Sequence, residues 1–331
     1  MKRHGSYVAA LLFTIIALLG WNTSHVQAAK MLDYGDPLPD AMTMPQPTIQ
    51  KEFCEEITKR TGGELTVKYH HATIVTNEVK AVEMLKRGAL AFASLGGAVG
   101  TTFPNTQPLV LPYLFRDYAH YHAVLAGPVV KKMEEEIEKQ HGVKVLFWFD
   151  FGFRQFITTK KPIGALGDLK GLKLRVMPSP PLAELVNSLG ASAVPISWAE
   201  TIPALQQGVV DGLDLPIVSF LANRVYEISK NMALTSHYFA PTPALVNLKV
   251  WNEFTPAQQQ IVRQVAKEMS AKQRMLMEKS HEEGLETMKK YGVNVTSPDT
   301  APFRKVAQEK VYPKYYEKFG KELIESIVAT K

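Results

Sequence analysis

Apolar positions recur along this chain with two alternating periods. Ile49, Phe53 and Ile57 are spaced by four, as on one face of a helix over 48–61, and Gly62 and Gly63 end it. Leu65, Val67 and Tyr69 then alternate as a strand, 77–87 reads as a helix closed by Gly88, and 89–95 as a short buried strand running into Gly96 and Gly97. The segment ahead of these, from Asp36 through Pro45 and Pro47, is too rich in proline for a helix interior. Residues 109–115 are apolar and turn-rich, and 129–140 fit a helix whose acidic run from Glu134 to Glu138 makes a solvated face. The run 143–151 is so uniformly apolar that it predicts a central strand, bending at Gly152 just before Arg154.

The second half repeats the alternation. Leu172, Leu174 and Val176 fall on one strand face, with Lys173, Arg175 and Met177 on the other. Leu182, Leu185, Val186 and Leu189 make a helical stripe, 193–196 a short strand, Ser197 or its neighbour caps a helix to Leu205, and 209–216, 232–239 and 245–248 read as further strands. Thr255, Pro256 and Gln258 form a capping-box start, after which only Gly284 interrupts the pattern before Gly292. Continuous from 256 to 291, that helix would run about 54 Å at roughly 1.5 Å per residue; the alternative is two helices kinked at Gly284. A last helical stretch covers 303–319. Strands alternating with helices predict an α/β protein with mostly parallel sheets covered by helices. The length, 331 residues, favours two lobes over one.

Composition changes this picture at the N-terminus. Lys2, Arg3 and His4 precede an apolar run from Val8 to Trp21 and a small residue at Ala28, the pattern of a secretory signal peptide over 1–28. The run is short for a membrane span, and no second apolar stretch of about 18 residues follows. Cleavage removes two cations and no acid, so the net charge drops from +6 to +4, too little for a nucleic-acid footprint. Cys54 is the sole cysteine, which excludes an internal disulfide and suits a small core residue.

Familiar catalytic and metal patterns are absent. His281-Glu282 has Leu285 where a metalloprotease helix needs histidine, and Ser94 has Phe92 where a nucleophile elbow needs glycine. The glycines between Gly96 and Gly100 have neither dinucleotide nor phosphate-loop spacing, and adjacent His70 and His71 would point to opposite strand faces. No enzyme, cofactor or metal site is expected.

What the sequence does contain is an ordered set of segments: 59–67, 111–115, 153–156, 168–176 and 195–212. Its most specific parts are Leu169-Lys-Gly-Leu-Lys-Leu-Arg-Val176 and Trp198-Ala-Glu-Thr-Ile-Pro-Ala-Leu-Gln-Gln-Gly-Val-Val-Asp-Gly212. Together they resemble the DctP-type solute-binding proteins of TRAP transporters, over nearly all of the chain after Leu32. The resemblance implies a type II-like, two-lobed periplasmic binding protein with a long helix across both lobes. Residues 29–152 with 240–282 would form one lobe and 153–239 with 283–331 the other. It further implies a monomeric periplasmic receptor that closes on a small organic acid and delivers it to a small and a large membrane subunit, without a cofactor.

Carried over residue by residue, the family's carboxylate-clamping arginine falls on Arg175, a second cleft arginine on Arg154 and an aromatic ligand contact on Trp198. Leu215 stands where the sialic-acid-binding branch has a ligand-binding amide, with Asp214 beside it as a possible replacement, and Gly96 and Gly97 where that branch has a polar side chain. The 36–40 segment also departs from that branch, which argues against sialic acid as the ligand. Asn77 and Asp150 are further polar candidates, each readable equally as a helix cap or a strand-end residue. Two other readings stand beside this one: a secreted enzyme on a binding-protein fold, and the binding protein of an ATP-driven importer.

Overall fold

A computed structural model describes residues 29–37, 44–75, 77–95, 99–149 and 151–331. The expected signal peptide lies outside these residues, as do Gly96, Gly97 and Asp150. Among them are eleven strands in two sheets, flanked by helices. The first sheet has β1 (Lys30–Asp36), β2 (Leu65–His71), β3 (Phe92–Ser94), β4 (Val143–Phe149) and β10 (Thr242–Asn247), in the order β2-β1-β3-β10-β4. The second has β5 (Arg154–Thr158), β6 (Lys173–Val176), β7 (Ser192–Pro195), β8 (Gly212–Pro216), β9 (Asn231–Tyr238) and β11 (Asn294–Thr296), in the order β11-β9-β5-β8-β6-β7.

Each sheet is mixed in one particular way. β10 runs antiparallel to both its neighbours in the first sheet, and β5 does so in the second; all other pairings are parallel. These two strands are the ones that arrive from the other sheet, β4 leading into β5 and β9 into β10. A chain that leaves one sheet at its carboxyl edge enters the next at that same edge, so it must run against its new neighbours. The sheets therefore meet edge to edge, with both sets of carboxyl ends facing the gap. Gly152, in the first crossing, has φ +84, and a side chain there would meet the Tyr118 hydroxyl at 2.9 Å, so the bend requires glycine.

Several expectations need correction. β1 was not anticipated, because its polar residues and Gly35 mask the alternation of buried Leu32, Tyr34 and Asp36. The following helix, α1 (Pro45–Arg60), begins at Pro45 and not near Thr48; both prolines sit in its first turn, where a missing N–H costs nothing. β4 is an edge strand, not a central one. Its apolar character comes from coverage of its faces: α5 (Pro128–His141) and the long helix α10 (Pro256–Lys290) both pack on it. Trp148 also donates its indole N–H to Glu134 Oε1 at 2.7 Å. Pro243, in the gap expected between the strands 232–239 and 245–248, is accommodated inside β10 opposite Trp148.

α10 is continuous over 35 residues, or roughly 52 Å. Its cap is the expected one, with Gln258 N–H donating to Thr255 Oγ1 at 3.2 Å and the Gln258 side chain accepting from Thr255 N–H at 3.0 Å. Val262, Val265, Ala266 and Met269 belong to the apolar core under the first sheet, whereas Met288 joins that of the second. Gly284 is not a kink but a close approach. A Cβ there would lie 2.6 Å from Ile217 Cγ2 on α8 (Ile217–Ala222). The C-terminal stretch reaches past Phe319, with a last helix α13 (Lys321–Val328) set off by Gly320 at φ +85.

Gly284→Val should destabilise the protein by about 2 kcal/mol in urea unfolding, because overpacking outweighs the gain of about 0.5 kcal/mol or less in helix propensity. An unchanged denaturation midpoint would show that the contact with Ile217 is soft.

Candidate functional site

Because both sets of carboxyl ends face the gap between the sheets, the loops that leave them converge there. They enclose a cavity of about 550 Å³. One wall comes from the segments after β2 and β3, the opposite wall from the ends of β6, β7 and β8, and the floor from the crossing residues Phe151, Gly152 and Ala240. Thr101 Oγ1 donates to the Pro178 carbonyl at 3.0 Å, joining the two walls.

Arg175 lies on β6, between Leu174 and Val176, and is 2% exposed. The face expected to be polar is thus buried at Arg175, while Lys173 on the same face stays exposed. Its Nε and Nη2 both donate to the Ile196 carbonyl, at 3.0 and 2.8 Å, and the guanidinium sits 5.7 Å from the Trp198 ring centre. These contacts fix the plane of the group and leave Nη1 and one Nη2 hydrogen without a partner among the described residues. No carboxylate there forms an ion pair with it. Burial, followed by the nearby Arg154 charge, pushes its pKa down to about 10. A planar cation held this way offers two parallel donors to the cavity, the fork that a carboxylate matches.

Arg154, at the start of β5, is the opposite case. Its Nε pairs with Asp214 Oδ2, and its Nη2 donates to Asp214 Oδ1 at 3.1 Å and to the Asp214 carbonyl at 2.6 Å. Only Nη1 is left for the cavity it lines. Asp214, expected in the cleft, does not line it; it is fully buried as the counter-ion of Arg154, which with His237 holds its carboxyl well below the usual carboxylate range despite burial. His237 stacks on Phe156 with ring centres 3.8 Å apart, approaches Thr235 Oγ1 through Nδ1 at 2.8 Å, and has Nε2 3.7 Å from Asp214 Oδ2. Burial pushes its pKa below the ordinary 6.5, although Asp214 pulls the other way.

Trp198 and Leu215 line the cavity, Trp198 at the first turn of α7 (Trp198–Gln206). Asn77 also lines it, but its Oδ1 caps α2 (Glu78–Lys86) by accepting from Lys80 N–H at 3.0 Å, so the cap and the cleft-facing position coexist. Residues that the sequence did not single out include Glu78, which sits beside Asn77 on the wall facing Arg175. Burial raises its pKa, and Arg175 opposes that shift. Met44, Thr101, Met177, Pro178, Ser219 and Asn223 were also missed. The signal for them was positional: each lies within eight residues after the carboxyl end of a strand. Among the described residues, no group of three or more His, Cys, Asp and Glu could hold a metal.

Residues 41–318 match the model of the DctP family, described as bacterial extracellular solute-binding protein, family 7. A solute-binding protein of Verminephrobacter eiseniae is 31% identical over 83% of this chain and 82% of its own length. A TRAP periplasmic solute-binding protein of Xanthobacter autotrophicus, solved with bound β-D-galacturonate, superposes with a TM-score of 0.82 at 32% identity, covering 91% of this chain and 100% of that one. Another from Bordetella, with density assigned to pantoate, gives 0.85 at 27% identity over 91% and 99%.

Asp214→Asn leaves the buried Arg154 without its counter-ion and should cost about 3 kcal/mol in urea unfolding. Below pH 6.5 an unfolded chain takes up a proton that folded His237 resists, so its contribution to stability is present above 6.5 and lost as pH falls. The melting temperature of His237→Gln should accordingly drop less than that of the parent between pH 7.5 and pH 5. Parallel curves would mean that the histidine is not held neutral.

Proposed function

We propose that the chain, which belongs to the DctP family of bacterial extracellular solute-binding proteins, family 7, is a periplasmic receptor that captures a small organic acid between its lobes and hands it to a TRAP membrane transporter. The observation that carries this reading is Arg175, a buried guanidinium fixed in plane by the Ile196 carbonyl, with a pair of unspent donors facing a cavity of about 550 Å³. A ligand carboxylate would supply the charge and acceptors that the buried cation lacks, and closing the lobes would exclude water and strengthen the pair. Ligands named for the solved relatives, a uronate and pantoate, are organic acids of suitable size.

The two strand crossings and α10 are the connections about which the lobes, 29–152 with 240–282 and 153–239 with 283–331, would close. A secretory leader ahead of residue 29 and a monomeric receptor presented to the small and large membrane subunits complete the reading. Nothing in it calls for turnover of the ligand, which would be released unchanged.

Isothermal titration of the processed protein with a panel of organic acids should identify a ligand in the micromolar range or tighter. Arg175→Ala should then lower affinity by about 30-fold or more, the consequence of losing one partner of a buried ion pair worth roughly 2 kcal/mol or above. A variant that keeps a native circular-dichroism spectrum and the parent affinity would remove the clamp assignment.

A further inference from the structure

Of the five Asn, Ser and Thr side chains that line the cavity proposed to hold the acid, four have already committed a hydrogen-bonding group to the protein. Thr101 has donated its hydroxyl across the gap to Pro178, and Ser197 has donated its own to Glu200 Oε2 at 2.7 Å. Asn77 uses its carbonyl oxygen as a helix cap and keeps its amide N–H groups, Asn223 uses its amide nitrogen on the Ser219 carbonyl at 2.8 Å and keeps its oxygen, and the Ser219 hydroxyl is uncommitted among the described residues. Arg154 is spent on Asp214 apart from one nitrogen. The groups between them are apolar: Phe151, Met177, Trp198, Leu215 and Ala240 on the floor and the Arg175 side, and Met44 and Val79 opposite.

The charges are equally one-sided. Arg175 is the buried cation without a counter-ion among the described residues, and across the cavity stands Glu78, half-buried and likewise without an ion pair there. Lys80 and Glu83 lie exposed at the mouth with opposite signs, where solvent screens both. One carboxylate is matched by Arg175; a second, carried toward the far wall, would meet Glu78.

The geometry points to a monocarboxylate with a largely apolar carbon body, a branched keto or hydroxy acid, as the preferred ligand of this cleft, over a polyhydroxylated sugar acid or a dicarboxylate. This rests on the organic-acid reading above and narrows it. Each sugar hydroxyl enclosed here without a partner would weaken binding by about tenfold. An alkyl body instead replaces water along Met177, Trp198 and Leu215.

Three six-carbon acids separate the possibilities in calorimetric titrations of the processed protein: 4-methyl-2-oxopentanoate, gluconate and adipate. The branched keto acid should bind at least tenfold more tightly than either of the others. Leu215→Asn, which places an amide on the Arg175 wall, should narrow the gap between the keto acid and gluconate by at least fivefold, and Glu78→Gln should do the same for adipate. Gluconate or adipate binding the parent as tightly as the keto acid, with Arg175→Ala abolishing it, would overturn this inference and leave the receptor reading intact. Silence of the parent toward all three acids would also overturn this inference, whereas the receptor reading falls only if the whole acid panel is silent. The comparison within the unmodified protein decides the matter even where a variant fails to fold.

Discussion

Two guanidinium groups buried beside one cavity are the constraint around which this molecule is arranged. A cation removed from water is costly unless something nearby carries the opposite charge, and two together are worse. The chain resolves the problem differently at its two arginines. Arg154 receives a permanent partner, Asp214, supplied by the adjacent antiparallel strand β8. Arg175 receives a backbone carbonyl and an aromatic face, which orient it without neutralising it. Its lowered pKa is the trace of that unsatisfied state. The asymmetry converts one of two chemically identical side chains into structure and leaves the other with donors on the cavity.

That arrangement depends on topology. Arg154 can reach Asp214 because β5 enters the second sheet antiparallel to β8, at the edge where the parallel strands end. Arg175 comes from the carboxyl end of β6, one strand further along the same sheet. The crossing that bends at Gly152 therefore does two things: it links the lobes, and it delivers an arginine to the floor of the gap between them. The C-terminal residues add a further tie between the two halves. Arg116 donates to the carbonyls of Val328 and Thr330 at 2.6 and 2.7 Å, and Tyr312 donates to the Pro112 carbonyl at 3.0 Å. The π turn that precedes Tyr312 packs on the helix Pro180–Ser188, which follows Arg175.

Much of this was legible in the sequence where a local rule coincided with the global one. The capping box of α10, the stripe from Leu182 to Leu189 and the bend at Gly152 each satisfy a local preference that the fold then uses. Legibility failed where a tertiary neighbour set the outcome. Gly284 carries the mark of a helix break, yet it is the point where α10 presses on Ile217. The run ending in β4 has the composition of a central strand, yet it is an edge strand covered on its faces by helices. Asp214 and Leu215 are adjacent on β8 and so point to opposite faces; Leu215 reaches the cavity, and Asp214 shares the face on which Arg154 meets it. Glu78 carried no motif; only its place beside the gap gives it meaning.

The contrast between the arginines also explains why residue identity is a weak guide to ligand chemistry in such a cleft. The donors left on Arg175 match a carboxylate and say nothing of what a carboxylate there would be attached to. That information is held by groups which have no charge to advertise. Thr101 and Ser197 bring hydroxyls to the cavity lining, but their protons go to the Pro178 carbonyl and the Glu200 carboxylate. A polar lining residue contributes to recognition through the hydrogen bonds it has left, and the apolar surface between such residues contributes through the water it rejects. Selectivity thus follows from the balance of spent and unspent partners around the cavity, a quantity that exists only once the two sheets have been brought edge to edge.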